Sequence, residues 1–186
     1  MAPFRFIGFG LIFSFLFIQQ ILLADTPVLS NDETQSIQRQ FQEASKEPGA
    51  ILFTPPSGWR VANPKALPKS VKAMVVGKGA YEFPPSINLS SEIYDGTLKQ
   101  YLKRVKEIND SRGAQWKDLG KISTEAGPAS LSQVDTKTQW GDVRMMHVIL
   151  KKENTIYIVT ASALQKEFPK FYKDFFNSLK SLHFNQ

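Results

Sequence analysis

The stretch VRMMHVILKKENTIYIVTASA, Val143 to Ala163, decides the fold. Two runs rich in β-branched and aromatic residues flank a short polar break, which is the pattern of a β-hairpin. A three-residue loop, Lys152-Glu153-Asn154, pairs Leu150 with Ile156, Ile149 with Tyr157 and His147 with Val159. Leu150, Ile156, Val148 and Ile158 then share one face, and Ile149, Tyr157, Val159 and Met145 share the other. With apolar residues on both faces, the hairpin belongs in the middle of a sheet that is covered on both sides.

Working outward, the segment after the hairpin places Phe168, Phe171, Tyr172, Phe175, Phe176, Leu179 and Leu182 at helical spacing, so a helix is expected over about 166–181. Pro169 fits only in its first turn. Before the hairpin, residues 116–124 and 128–138 read as strands parted by Gly127-Pro128. A further helix is announced by Thr97 and Gln100 at capping-box spacing, with Leu98, Tyr101, Leu102, Val105 and Ile108 on one face and Gly113 as its stop. In the run after Pro84-Pro85, Ile87, Leu89 and Ile93 alternate with Asn88, Ser90 and Glu92, which predicts a strand with one buried and one wet face. Ala73–Gly77 is expected as a strand and 63–70 as irregular. In FTPPSGWRV, Pro55-Pro56-Ser57-Gly58 turns the chain after a short strand at Ile51-Leu52-Phe53, and Trp59 is expected to pack under a helix.

The N-terminal part has a different character. Arg5 precedes an apolar run from Phe6 to Ile18, and Ala24 stands before Asp25-Thr26-Pro27. Residues 1–24 are thus expected to be a secretory signal peptide cut after Ala24, or an uncleaved anchor through residues 6–23. Residues 25–49 are expected to be a flexible lead and a helix at about 32–45, started by Ser30 and Glu33 and carrying a thin stripe of Ile37, Phe41 and Ala44. Residues 50–184 are the folded domain. An exported protein of periplasmic or secreted location is expected.

Composition narrows the chemistry. The 186 residues suit one domain, and 42% hydrophobic residues can build a core. Without cysteine there is no disulfide, thiolate metal site or cysteine nucleophile. Two histidines make a zinc site improbable, and Gly77-Lys78-Gly79 lacks the hydroxyl residue that a phosphate loop carries after its Gly-Lys. No cofactor is expected. A set of Ser162, His147 and Asp142 can be drawn on paper, but no nucleophile-elbow pattern accompanies it, and His147 reads more simply as a half-buried histidine on a sheet face. His183 is expected at the frayed, solvent-facing end of the last helix. The net charge of +6 is mild, and nucleic acid is not an expected partner of an exported chain. The span from Asn63 to Ser86 sets Lys65, Lys69, Lys72 and Lys78 against Glu82 alone. These four lysines are the candidate contacts for an acidic protein partner or an anionic membrane surface; the plainer reading is a solvated loop.

The motifs PPSGW, PPSINL, DGTLKQYL, AGPASLSQ, IYIVTAS and FPKFYKDFFNSLKSLHF occur in that order. With Gly58, Trp59, Gly127, Ala129, Tyr157, Thr160 and Ser181, this order resembles the PsbP-like superfamily over roughly residues 50–184. That superfamily includes photosystem extrinsic proteins, bacterial DcrB-like envelope lipoproteins and a Ran-binding nuclear import factor. The resemblance implies a single α+β domain, an antiparallel β-sheet flanked by helices on both faces in an α/β/α sandwich. It also implies binding of other proteins rather than catalysis. The chain departs from DcrB-like proteins in lacking the cysteine through which they are often lipid-anchored. The expected function is an exported, non-enzymatic protein-binding module at the cell envelope or in secretion. The alternatives are a peripheral membrane or lipid-binding protein, and a hydrolase with an unrecognised site around His147.

Overall fold

The computed structural model describes residues 49–185. The signal or anchor segment and the helix expected at 32–45 lie outside these residues. The described chain runs β1 (Ile51–Leu52), β2 (Arg60–Val61), a 3-10 turn (Pro64–Ala66), β3 (Val71–Val76), β4 (Ser86–Ile93), α1 (Leu98–Ser111), β5 (Gln115–Thr124), β6 (Gly127–Thr138), β7 (Gly141–Lys152), β8 (Thr155–Leu164), α2 (Phe168–Lys180) and β9 (His183–Phe184). It is a single α+β domain, mainly antiparallel sheet with two α-helices.

Seven strands form the main sheet in the order β2-β3-β4-β8-β7-β6-β5, and β1 pairs with β9 in a separate two-stranded ribbon. The β7–β8 hairpin sits at the sheet's centre, as its two apolar faces require. Its register differs by one residue from the sequence expectation: Leu150 pairs with Tyr157, Ile149 with Ile158 and His147 with Thr160. The turn is two residues long, Glu153-Asn154, because Lys152 pairs with Thr155. Glu153 adopts φ 54°, the left-handed backbone that a tight hairpin turn demands at its first central position. The face assignment changes accordingly. Met146, Val148, Leu150, Val159 and Ala161 share one apolar cluster with Phe168, Phe175 and Leu179 of α2. Ile149, Ile156 and Ile158 join Tyr101 and Val105 of α1 in another.

Local sequence explains the helices. Thr97 Oγ1 accepts from the Gln100 N–H, and the Gln100 side chain accepts from the Thr97 N–H, closing the capping box that starts α1. Pro169 lies in the first turn of α2, where its missing N–H costs no helical bond. The carbonyls left open at the end of α2 are met from outside: Glu125 and Ala126, at the β5–β6 turn, donate to Lys180 O and Leu182 O. Ser181 Oγ accepts from the Thr54 N–H at 2.8 Å, tying the start of the domain to the end of α2.

The Pro-Pro-Ser-Gly-Trp turn does what its sequence suggests. Gly58 takes φ +77°, and the Trp59 ring meets Phe171 and Phe175 of α2 edge to face at 6.1 and 5.8 Å. Gly77 passes so close beneath that a Cβ there would stand 2.6 Å from the indole. His183 is not at a frayed end. It lies in β9, partly buried, with Nδ1 2.8 Å from Ser181 O.

Candidate functional site

Alternation in β4 predicts a wet face at Asn88 and Ser90; both are buried instead, together with Ser86. The register explains why. Asn88 pairs with Thr160, Thr160 with His147, and His147 with Ser132, so four polar side chains lie side by side across β4, β8, β7 and β6. Neighbouring members are about 5 Å apart in such a ladder. One row along, Ser86 pairs with Ser162, and their hydroxyls are 3.0 Å apart. β4 is an interior strand between β3 and β8, so its polar letters mark a polar seam inside the molecule rather than a solvent face.

The seam is uncharged near neutral pH. His147 Nδ1 sits 2.9 Å from Thr160 Oγ1, and loss of hydration pushes the imidazole down to about 4. Asn88 is 2% exposed and Ser132 1%, yet Asn88 Nδ2 and Ser132 Oγ have no hydrogen-bond partner among the described residues. Trp116 Nε1, on the same face of β5, is likewise unpartnered.

This arrangement takes the paper triad apart. Ser162 faces Ser86, His147 faces Thr160, and Asp142 stands five residues from His147 on β7. An odd offset along a strand sends the two side chains to opposite faces, about 16 Å apart along the chain. Asp142 instead lines an open polar cleft of about 470 Å³ with Arg112, Gln115, Asp135 and Lys137. Asp135 in that cleft is held by Arg144 through two bonds of 2.8 Å, which raise the guanidinium's pKa further. Among the described residues, no cluster of three or more histidine or acidic side chains could hold a metal ion. No helix there is long and apolar enough to cross a membrane.

The four candidate lysines are all exposed, and they fall into two places. Lys65 lies in the 3-10 turn and Lys69 just beyond it, and Lys72 is near the start of β3. The pairing of β3 with β4 shifts between Val71 and Ala73, so Lys72 is the extra residue of a β-bulge. Lys78 follows the other end of β3, up to about 20 Å from Lys72. It belongs instead to the β3–β4 connection, which approaches the start of α2: Ala80 N–H donates to Glu167 Oε1 at 3.2 Å, and Lys166 Nζ lies 3.3 Å from the centre of the Tyr81 ring. Glu167, buried at the start of α2, was not visible as a structural anchor in the sequence. Its only signal there was an acidic residue just ahead of a helix.

This strand order, with its central hairpin and aromatic α2, has counterparts of known structure. The chain has a Mog1-like fold. It is similar to LpqN, a protein involved in cell envelope biogenesis of Mycobacterium tuberculosis, with 14% identity over 75% of this chain and 87% of that one and a TM-score of 0.50. PA94 of Pseudomonas aeruginosa, a protein of unknown function and putative regulator, matches at 14% identity over 73% and 96% of the two chains, TM-score 0.52. The Ran-binding protein Mog1p of Saccharomyces cerevisiae matches at 16% identity over 74% and 91%, TM-score 0.50. No protein-family model and no curated protein sequence matches this chain.

Proposed function

We propose that this protein is an exported, non-enzymatic binding module that acts at the cell envelope or in secretion by docking a protein partner. The observation that carries this reading is the separation of chemistry from surface. His147, Ser162, Thr160 and Ser86 are spent on one another inside the sheet, while Lys65, Lys69 and Lys72 stand exposed around the outer edge of β3. An acidic surface is the partner chemistry that these lysines favour. The comparisons support the reading by analogy: one protein of this fold binds Ran and another takes part in envelope biogenesis. Residues 1–24 are the export signal or anchor, and 50–184 the binding domain. Its architecture is an α/β/α sandwich, with α1 and α2 on opposite faces of the sheet; the alternation of Val148 and Ile149 between the two helix-containing clusters supports that arrangement.

The test is capture of the tagged full-length chain from its own cells after crosslinking, beside a Lys65→Glu/Lys69→Glu/Lys72→Glu variant. One stoichiometric acidic partner, lost in the variant, is expected. Identical captures from both chains would remove the proposed surface.

A further inference from the structure

The outward side of α2 carries a second basic surface, away from the β3 edge. Phe168, Phe175 and Leu179 bury one side of this helix. Lys170, Lys173 and Lys180 fall within an arc of about 80° on the opposite side, and all three are exposed. Beside that stripe, Tyr172 is 50% exposed and stacks on Phe176 with ring planes 13° apart, and Lys180 Nζ lies 5.7 Å from the Phe176 ring centre. At the helix start, Tyr81 is 49% exposed with the Lys166 ammonium against its face. Both aromatic groups on this surface thus have an ammonium beside them. The Tyr81 loop is fixed to the helix by the Ala80–Glu167 hydrogen bond, so the parts form one surface.

We propose that this face of α2, with Tyr81, is a contact surface for anionic lipid headgroups. Three features select that occupant. Lys166, Lys173 and Lys180 make no ion pair among the described residues, and with Lys170 they outnumber the exposed carboxylates alongside, Glu82, Glu125 and Asp174, so the face is positive. Tyrosine rings with lysines beside them suit the boundary between water and acyl chains, where the ring is partly desolvated and the ammonium reaches phosphate. The face is the convex side of a helix and needs no concave partner to cover it. It differs from the β3 lysines proposed above for protein docking, and the two can fail separately.

Absence of cysteine gives a direct test with the full-length chain. A single Asn177→Cys substitution, between Lys173 and Lys180, carries an environment-sensitive fluorophore; a Lys103→Cys chain, labelled on α1, is the control. Each is mixed with phosphatidylcholine vesicles, with and without phosphatidylglycerol as a third of the lipid. The label at 177 is expected to brighten only with phosphatidylglycerol, and the label at 103 not to respond. Lys166→Gln/Lys173→Gln/Lys180→Gln in the 177-labelled chain is expected to raise the lipid needed for half response about a hundredfold, at roughly fivefold per lysine. A silent label at 177, equal responses at 177 and 103, or an unchanged response in the triple variant would each overturn the proposal. Membrane attachment through the N-terminal apolar segment alone would appear as one of those results.

Discussion

His147 is held neutral inside the sheet, and that gives it a signature in stability. Its folded pKa of about 4 lies below the ordinary 6.5, so between those pH values the unfolded chain binds a proton that the folded chain refuses. Its contribution is fully present above about pH 6.5 and is lost as pH falls toward 4. The expected loss is on the order of 2–3 kcal/mol. Chemical denaturation across this range should show a steeper decline for the native chain than for His147→Gln; parallel curves would mean that the imidazole is hydrated. Ser132 poses the opposite case. A buried hydroxyl without a partner costs about 1–3 kcal/mol, so Ser132→Ala should leave the midpoint unchanged or raise it. A loss of more than about 1 kcal/mol would show that this hydroxyl is bonded in solution. Neither residue announces its setting in the sequence. SINLSSEI spells the same letters for a strand with a wet face and for a strand whose polar side meets Thr160 and His147; only the register across four strands separates the two.

At the scale of elements, the strongest local signals are legible in the sequence because they close on themselves. The capping box of α1, Pro169 in the first turn of α2 and the Gly-Trp turn each depend on neighbours in sequence. The hairpin was legible as an element, but its register was not. Loops of two or three residues both fit Lys152-Glu153-Asn154, and the shorter one requires Glu153 to take a left-handed conformation that favours glycine. The sheet's edges show a further design. β2 pairs with β3 only at Val75 and Val76; before them a loop takes the strand's place, with Ala62 N–H donating to Met74 O and Val71 N–H to Pro68 O, and the bulged Lys72 stands there. The far edge, β5, has its own register shift between Asp118 and Gly120, flanked by Lys117 and Lys121. Bulges and lysines on edge strands oppose pairing with another sheet. Lys72→Val should therefore increase self-association, measurable by light scattering against concentration, with little change in the unfolding midpoint. A variant that stays monomeric at every concentration would assign Lys72 to partner contact alone.

For the whole molecule, the seven-stranded sheet withdraws polar side chains into a seam, and the two lysine groups proposed for contact, at the start of β3 and on α2, lie at separate places. The order of strands and helices was legible from periodicity and turn residues, and the family resemblance from short motifs spread over the domain. The candidate surface was legible only as a lysine-rich span. Its division was not, because Lys78 leaves its three companions once β3 runs its length and the Glu167 anchor draws the following loop to α2. In the proposed function these two surfaces make the contacts and the seam makes none. The most direct measurement places a photo-crosslinking residue singly at positions 65, 69, 72, 117 and 177 of the full-length chain in its own cells. One protein adduct of common mass is expected at 65, 69 and 72, none at 117 on the opposite edge, and lipid at 177. Adducts that do not distinguish position 117 from the three lysine positions, or no adduct at those three, would contradict the proposed function.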